Sequence, residues 1–275
     1  MVRWLNARRR RRILAARFPP HWDRIIDTNV AIARRLDPQR LARLRDLVQV
    51  FVAEKHWEGC GGMEVDDEVK VTIAAQACLL ILERDADLYR DVSSIIVYPS
   101  TVRTPPRLPG FFEQPSVMER HGAWIHGQAM LGGPVVLSWD AVLAGAHEVT
   151  PGNVVFHELA HKLDMANGAI DGTPPLANRR ERKRWGDVCS EAYKRHRSAA
   201  EHGIPTLMDV YGATNEAEFF AVATETFFCR PAALALEHPK LYAVLADFYK
   251  TDPFAFERPA PEPELESITS WFRDG

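Results

Sequence analysis

The chain has 275 residues, of which 46% are hydrophobic, and a formal net charge of −3 at pH 7. This length and composition fit one large globular domain or two small ones, and the charge gives no reason to expect nucleic-acid binding. No stretch approaches the roughly 18 apolar residues that a membrane-spanning helix requires. The four cysteines lack metal or redox spacing. We therefore expect reduced, buried thiols in a cytoplasmic protein with no membrane and no direct nucleic-acid partner.

The N-terminus carries an uninterrupted basic run, from Arg8 to Arg12. The apolar segment that follows it, Ile13–Ala16, is too short for the core of a signal peptide. Such a run is typical of a solvated, poorly ordered terminus, although it could also contact nucleic acid or an anionic surface. We predict a basic segment over residues 1–17, one folded domain over 18–255, and a tail rich in Pro and Glu over 256–275.

The hydrophobic pattern predicts helices first and short strands later. The predicted helices of the N-terminal half lie at 21–36, 38–56 and 67–84, the last one capped by Asp66. A glycine-rich turn is predicted at 59–62. The predicted strands lie at 94–98, 124–126 and 135–139, with a proline-rich loop at 99–115. The later predicted helices lie at 140–144, 151–166, 215–229 and 238–250. The sequence thus predicts an α+β fold with a largely helical N-terminal half and a small sheet.

One pentapeptide carries the chemistry: His157, Glu158, Leu159, Ala160 and His161. In a helix, two histidines four residues apart face nearly the same side and can bind one zinc ion together. The adjacent Glu158 is placed to act as a base toward a water molecule without being a ligand. This arrangement is typical of a zinc hydrolase.

The local sequence supplies the helix that the motif needs. Thr150 is a good N-cap and Pro151 fits the first helical position. Asn167 and Gly168 form a stop signal at the other end. Because apolar residues surround the two histidines, a chance pattern on a solvated helix is the weaker interpretation.

Catalytic zinc usually has three protein ligands, so a third one must come from elsewhere in the chain. Asp164 and Asn167 stand where an extended motif would place Gly and His, which excludes that extension. The remaining candidates are downstream carboxylates. Glu181 lies in a run of alternating charges that resembles a solvated surface, whereas Glu218 lies on an apolar helix.

A buried carboxylate is costly unless it is paired or bound to a metal, and this favours Glu218 over Glu181. Glu218 could instead close a capping box with Asn215, three residues before it. Two turns further on, Glu225 could hold a ligand histidine from behind or be an ordinary exposed charge.

The motif together with residues 211–221 resembles the Mlc titration factor A family of bacterial zinc metallopeptidases. Further matching segments are found at 73–80, 97–99 and 136–139, so that the resemblance extends over about residues 18–255. It implies a zincin-type fold similar to the catalytic domain of anthrax lethal factor. The site that it implies consists of the zinc ligands His157, His161 and Glu218, the general base Glu158, and Tyr211, which steadies the oxyanion.

The resemblance also implies aminopeptidase-like activity on peptides and binding of a Mlc-type transcriptional repressor that controls sugar-uptake genes. Two hypotheses follow: a zinc-dependent peptidase, or a regulatory repressor-binding protein with weak or vestigial peptidase activity. Zincins commonly bind extended peptides along a strand, and the candidate strands are 124–127 and 135–139. The candidate partner surfaces are the loop at 99–115, with Phe111 and Phe112, and the basic stretch at 179–197.

Overall fold

The computed structural model describes residues 2–100, 102–103, 124–125, 127–129, 133–149 and 151–256. The α-helices are α1 Val2–Leu14, α2 Pro20–Asn29, α3 Pro38–Glu54, α4 Asp67–Leu79, α5 Trp139–His147, α6 Val154–Met165, α7 Arg179–Glu201, α8 Glu216–Cys229, α9 Pro231–Glu237 and α10 Pro239–Tyr249. The strands are β1 His56–Gly59, β2 Ser94–Tyr98, β3 Val102–Arg103, β4 Trp124–Ile125, β5 Gly127–Ala129 and β6 Val135–Ser138. Short 3₁₀ turns lie at Ala31–Arg35, Ala86–Tyr89, Val210–Ala213 and Pro253–Phe256.

The main sheet has four strands in the order β1-β2-β6-β5. Strands β1, β2 and β6 are parallel, with Ile96 opposite Val136 at the centre of the β2–β6 pair. Strand β5 is antiparallel to β6 and forms the outer edge, with Gln128 opposite Val136. Strands β3 and β4 form a separate antiparallel pair. A mostly helical chain around a small sheet confirms the predicted α+β fold.

Helix α6 lies at the centre of the molecule, packed against α4, α5, α8 and the sheet. Its apolar side chains Phe156, Leu159 and Leu163 are fully buried. Phe156 meets Phe228 of α8 with ring centroids 5.4 Å apart. Each such side chain stabilises the fold by about 1.5–3 kcal/mol when buried, so the interface of α6 and α8 is a rigid base for polar residues at its edge.

Several predicted helices are present but shorter than predicted. The helix predicted over 21–36 is divided at Val30, whose backbone (φ −111°, ψ 88°) is not helical. The helix predicted over 67–84 begins as expected, because the Asp66 carboxylate accepts a hydrogen bond from the Val69 N–H, but it ends at Leu79. Boundaries shift in this way because tertiary packing overrides weak local signals at helix ends.

The basic run lies on a packed helix, which corrects the prediction of a poorly ordered terminus. Arg10 forms ion pairs with Glu54 at 2.9 Å and with Asp87 at 2.7 Å. The Gln49 side chain donates hydrogen bonds to the carbonyl oxygens of Ile13 and Ala16 at the end of the same helix. Complementary partners on α3 and on the 3₁₀ turn Ala86–Tyr89 therefore hold α1 in place.

Within the described ranges, no single helix is long and apolar enough to cross a membrane. Helices α8 and α9 meet the requirements of length and composition only as a pair, and that pair is bent by 117°. All four cysteines are free thiols, as predicted. Cys78 and Cys229 are buried, but Cys60 and Cys189 are partly exposed, so the prediction of burial is wrong for these two.

Candidate metal centre

Helix α6 begins later than the sequence predicts. Gly152 has φ +97°, a left-handed conformation that a continuous helix from Pro151 cannot contain. The helix starts at Val154, and the side chain of Asn153 caps it by accepting a hydrogen bond from the Phe156 N–H at 2.9 Å. The prediction of Thr150 as cap is therefore wrong, and Thr150 itself lies outside the described residues.

The cap residue also ties α6 to its neighbours. The amide nitrogen of Asn153 donates to the Gln76 side-chain oxygen and to the Gly145 carbonyl oxygen, both at 2.8 Å. Gln76 and Asn153 are buried polar groups that satisfy each other. Neither residue belongs to a recognisable sequence motif, although a glutamine within the apolar helix α4 is a signal of a buried polar partner.

Two histidines and one carboxylate converge at the edge of the α6–α8 interface. The Nε2 atoms of His157 and His161 are 3.2 Å apart. One oxygen of Glu218, Oε2, lies 3.0 Å from the first of these nitrogens and 3.2 Å from the second. The three donor atoms all lie within 4.8 Å of one another. Two imidazoles and a carboxylate that face one point form a donor set that suits a divalent transition metal such as zinc.

Glu225 fixes the orientation of His157 from behind. Its Oε1 lies 2.6 Å from Nδ1 of His157, and its Oε2 accepts a hydrogen bond from the Gly152 N–H at 2.8 Å. A neutral imidazole carries one proton, and a carboxylate at Nδ1 holds that proton there. In the neutral ring the Nε2 lone pair then faces the centre, as a metal ligand requires, whereas the protonated ring donates from both nitrogens. Of the two interpretations open for Glu225, the structure supports the histidine partner and excludes an exposed charge, since Glu225 is 6% exposed.

Glu218 combines two roles at the start of α8. Its backbone N–H donates to the side chain of Asn215 at 2.9 Å, so the predicted cap is present. Its carboxylate turns away from that cap toward the two histidines. Burial alone would raise its pKa, but the hydrogen bonds from His157 and His161 outweigh burial and lower the pKa of Glu218 to about 2.

The histidine shows the complementary effect. Burial opposes a charged His157, yet its hydrogen bonds with Glu218 and Glu225 raise its pKa to about 10. In the absence of a metal ion, the imidazole of His157 is therefore protonated and its positive charge balances the neighbouring carboxylates. A bound cation would supply that charge instead.

Glu158 lies next to the cluster but is not one of the three residues that could hold a metal. It is 5% exposed, and burial raises its pKa to about 7, with the neighbouring histidines acting in the opposite direction. A carboxylate with a pKa near neutrality is well matched to accept and return a proton.

Tyr211 approaches the cluster from the 3₁₀ turn Val210–Ala213. Its ring centroid lies 5.9 Å from that of His157, with the ring planes inclined by 35°. Burial raises the pKa of its hydroxyl, and the nearby carboxylates of Glu218 and Glu158 raise it further. The hydroxyl therefore stays protonated at neutral pH and can donate a hydrogen bond.

Glu181, the alternative third donor, lies elsewhere. Its carboxylate turns back on its own helix cap, where it accepts hydrogen bonds from the Asn178 side chain at 2.8 Å and the Ala177 N–H at 3.1 Å. Among the described residues, the group that could hold a metal consists of His157, His161 and Glu218 alone.

This arrangement resembles the donor set of zinc-dependent peptidases, in which two helical histidines and a third protein ligand surround an open position. The class that the fold and the donor set indicate is therefore a metallopeptidase.

Comparison with known proteins gives the family. The chain matches the glucose-regulated metallo-peptidase M90 family over residues 4–250, and it belongs to this family. It is 36% identical over 254 residues to an uncharacterized protein of Synechocystis sp., covering 91% of this chain and 90% of that protein. It is 26% identical over 253 residues to Mlc titration factor A of Escherichia fergusonii, covering 91% and 93% respectively. Mlc titration factor A of Serratia proteamaculans is 30% identical over 231 residues, covering 80% and 83%.

Proposed function

We propose that this protein is a zinc-dependent peptidase whose metal is held by His157, His161 and Glu218. The observation that carries the proposal is the convergence of both Nε2 atoms on a single oxygen of Glu218, at 3.0 and 3.2 Å. The family membership supports the same conclusion. We further propose that residues 18–255 form one catalytic domain that acts in the cytoplasm, in keeping with four free cysteines.

Zinc, when bound, supplies a Lewis acid that lowers the pKa of water and polarises the scissile carbonyl group. Glu158 takes the proton from the attacking water and delivers it to the leaving amine. The Tyr211 hydroxyl donates a hydrogen bond to the oxyanion that develops on the carbonyl oxygen. Glu225 keeps the His157 ring in the tautomer that leaves Nε2 free for the metal.

Strand β5, which shares only Gly127 with the predicted candidate 124–127, is the proposed binding edge for an extended peptide. Among the described residues, β5 pairs only with β6, whereas β6 is paired on both sides, so the predicted alternative at 135–139 is wrong. Strand β5 also packs against α6, the helix that carries His157 and His161. Unpaired backbone groups on such an edge can bind a peptide main chain in any sequence context. We propose short peptides with a free N-terminus as substrates.

Hydrolysis of aminoacyl chromogenic substrates by the zinc-loaded protein tests this function. We expect activity that a chelator removes and added zinc restores, and a kcat about 10³-fold lower in Glu158→Gln that has bound the same amount of zinc. A zinc-loaded wild-type protein that hydrolyses neither chromogenic substrates nor a library of short peptides would refute the proposal.

A second candidate function is binding of a Mlc-type repressor, because relatives that match about 90% of this chain are named Mlc titration factor A. One proposed surface is helix α7, which carries the basic stretch and exposes much of its length. The other, residues 99–115 with Phe111 and Phe112, lies largely outside the described residues. Titration of a purified Mlc-type repressor with the Glu158→Gln protein tests this role separately from hydrolysis. Binding by this variant would support it, and a lack of binding by both variant and wild type would exclude it.

A further inference from the structure

Helix α7 supplies no donor to the described metal cluster, yet a buried histidine on α7 reaches the turn that carries Tyr211. His196 is 3% exposed, and its Nε2 lies 2.9 Å from the carbonyl oxygen of Asp209. Its other nitrogen, Nδ1, is buried and has no hydrogen-bond partner among the described residues. Because a neutral imidazole has one proton and only Nε2 faces an acceptor, that proton lies on Nε2 and is donated to Asp209.

The turn is held at several further points. The Asp209 carboxylate accepts a hydrogen bond from the Tyr211 N–H at 2.8 Å. The Thr214 hydroxyl donates to the Tyr211 carbonyl oxygen at 2.7 Å. At Gly212, an added Cβ would lie 3.2 Å from Cβ of Val222 and 3.3 Å from Nε2 of His196, so the backbone of the turn fits tightly between α8 and α7.

We propose that His196 is a positioning residue for catalysis. Its hydrogen bond fixes the backbone at Asp209, and this fixes the direction in which the Tyr211 side chain leaves the turn. The inference rests on the proposed function, in which Tyr211 donates to the oxyanion. A donor displaced by about 1 Å can lose most of its catalytic effect, so a helix outside the cluster controls the rate through this contact.

The simpler alternative is that His196 only fills the core next to Phe219, with ring centroids 6.0 Å apart. A packing residue of this kind would lower stability when replaced, and its effect on the rate would not depend on Tyr211. The two interpretations therefore differ in whether the effects of His196 and Tyr211 are coupled.

A double-mutant cycle measures this coupling. His196→Leu removes the donor while keeping a side chain of similar size, and we expect kcat to fall by about tenfold with little change in KM. In the Tyr211→Phe background, itself slower by about 10²-fold, the same substitution should change kcat less than twofold. His196→Gln returns an amide N–H close to the position of Nε2 and should restore most of the rate. Val188→Ala, a matched change on the same helix, should lower the melting temperature without changing kcat.

The proposal is overturned if the His196→Leu loss multiplies with that of Tyr211→Phe, or if His196→Leu keeps the wild-type kcat. If His196→Leu does not fold, His196→Asn takes its place in the cycle with the same expectations, since its shorter amide cannot reach the Asp209 carbonyl oxygen.

A crystal structure of the His196→Leu protein gives a test that does not depend on activity. If the zinc-loaded wild type hydrolyses no substrate, the proposed function fails, but this structure still decides the positioning role. A Tyr211 ring displaced by about 1 Å or more relative to His157 supports that role. A ring that stays at the wild-type centroid distance of 5.9 Å refutes it.

Discussion

The first turns of α7 and α8 are built alike but place their glutamates differently. Both helices have an asparagine as N-cap and a glutamate three residues later, and in both the asparagine accepts a hydrogen bond from the glutamate N–H, at 3.0 Å in α7 and 2.9 Å in α8. The carboxylate of Glu181 returns to its own cap, whereas that of Glu218 crosses to the histidines of α6. The local pattern therefore determines where a helix begins, while the neighbouring element determines what the glutamate does.

The packing of α6 against α8 explains why the two glutamates point in different directions. Helix α6 presents the Nε2 atoms of His157 and His161 to the first turn of α8, and the half-buried Glu218 carboxylate gains more from them than from its own backbone. Glu181 is partly exposed and has no such histidines beside it. Its carboxylate therefore binds the polar groups at the start of its own helix, as in a capping box.

The largest effect is expected from the carboxylate beside the donor cluster. Glu158→Gln should lower kcat by about 10³-fold while binding zinc normally, because an amide cannot accept the proton of the attacking water. Zinc content and initial rates, measured on the same preparation, check this. Normal zinc with unchanged rates would remove Glu158 from the mechanism, and lost zinc would show that Glu158 helps to hold the metal.

The next effect concerns Glu225, whose two oxygens both accept hydrogen bonds. Glu225→Gln must place its NH₂ group against either Nδ1 of His157 or the Gly152 N–H, and both positions disturb the present arrangement. We expect zinc affinity to fall by about 10- to 100-fold in a competition titration with a chelator. Glu225→Asp serves as the charge-preserving control with an intermediate effect. Unchanged affinity in Glu225→Gln would mean that the His157 tautomer is fixed in another way.

A pH-dependent effect should appear in the metal-free protein. The pKa of Glu158 is raised to about 7 by burial, so the unfolded chain releases this proton at lower pH than the folded one. Metal-free wild type should therefore lose stability relative to Glu158→Gln as pH rises from about 4.5 to about 7, with a constant difference above that range. Urea unfolding of both proteins across this range measures it. A difference that stays constant throughout would contradict the assigned burial effect.

The smallest effects concern the two caps. Asn178→Ala and Asn215→Ala should each lower the free energy of unfolding by about 1 kcal/mol, since each removes one N-cap hydrogen bond. Only Asn215→Ala should also weaken zinc binding, because it loosens the turn that carries Glu218. Chemical denaturation and a zinc titration on both variants provide the comparison. Equal zinc affinity in the two variants would show that the cap of α8 does not help to place the carboxylate.

The sequence predicted the parts of the site that depend on helical spacing alone. His157, Glu158 and His161 lie within one helix, so their relation follows from helix geometry. The choice between Glu218 and Glu181 was harder, because both have the same cap and only the apolar setting of Glu218 favoured it. The role of Glu225 stayed open, since its partner lies 68 residues earlier in the chain.

The remaining differences have local causes that the pattern does not reveal. By sequence, Thr150 and Pro151 are a stronger helix start signal than Asn153. However, Gly152 has a left-handed backbone conformation, so a helix cannot run from Pro151 through Gly152 and begins only after Asn153. Strand β1 is short, mostly exposed and without a clear alternation, so no periodic signal marked it. The contribution of α7 was missed because the packing of His196 against the Tyr211 turn is a tertiary contact.

The most direct test of this account is the metal content of three proteins: wild type, Glu218→Ala and Glu181→Ala. Although the two glutamates follow the same local sequence pattern, only the replacement of Glu218 should remove the bound zinc. We predict about one zinc per chain in the wild type and in Glu181→Ala, and almost none in Glu218→Ala, each purified with zinc and dialysed identically. Full zinc in Glu218→Ala together with its loss from Glu181→Ala would contradict the assignment of the third ligand.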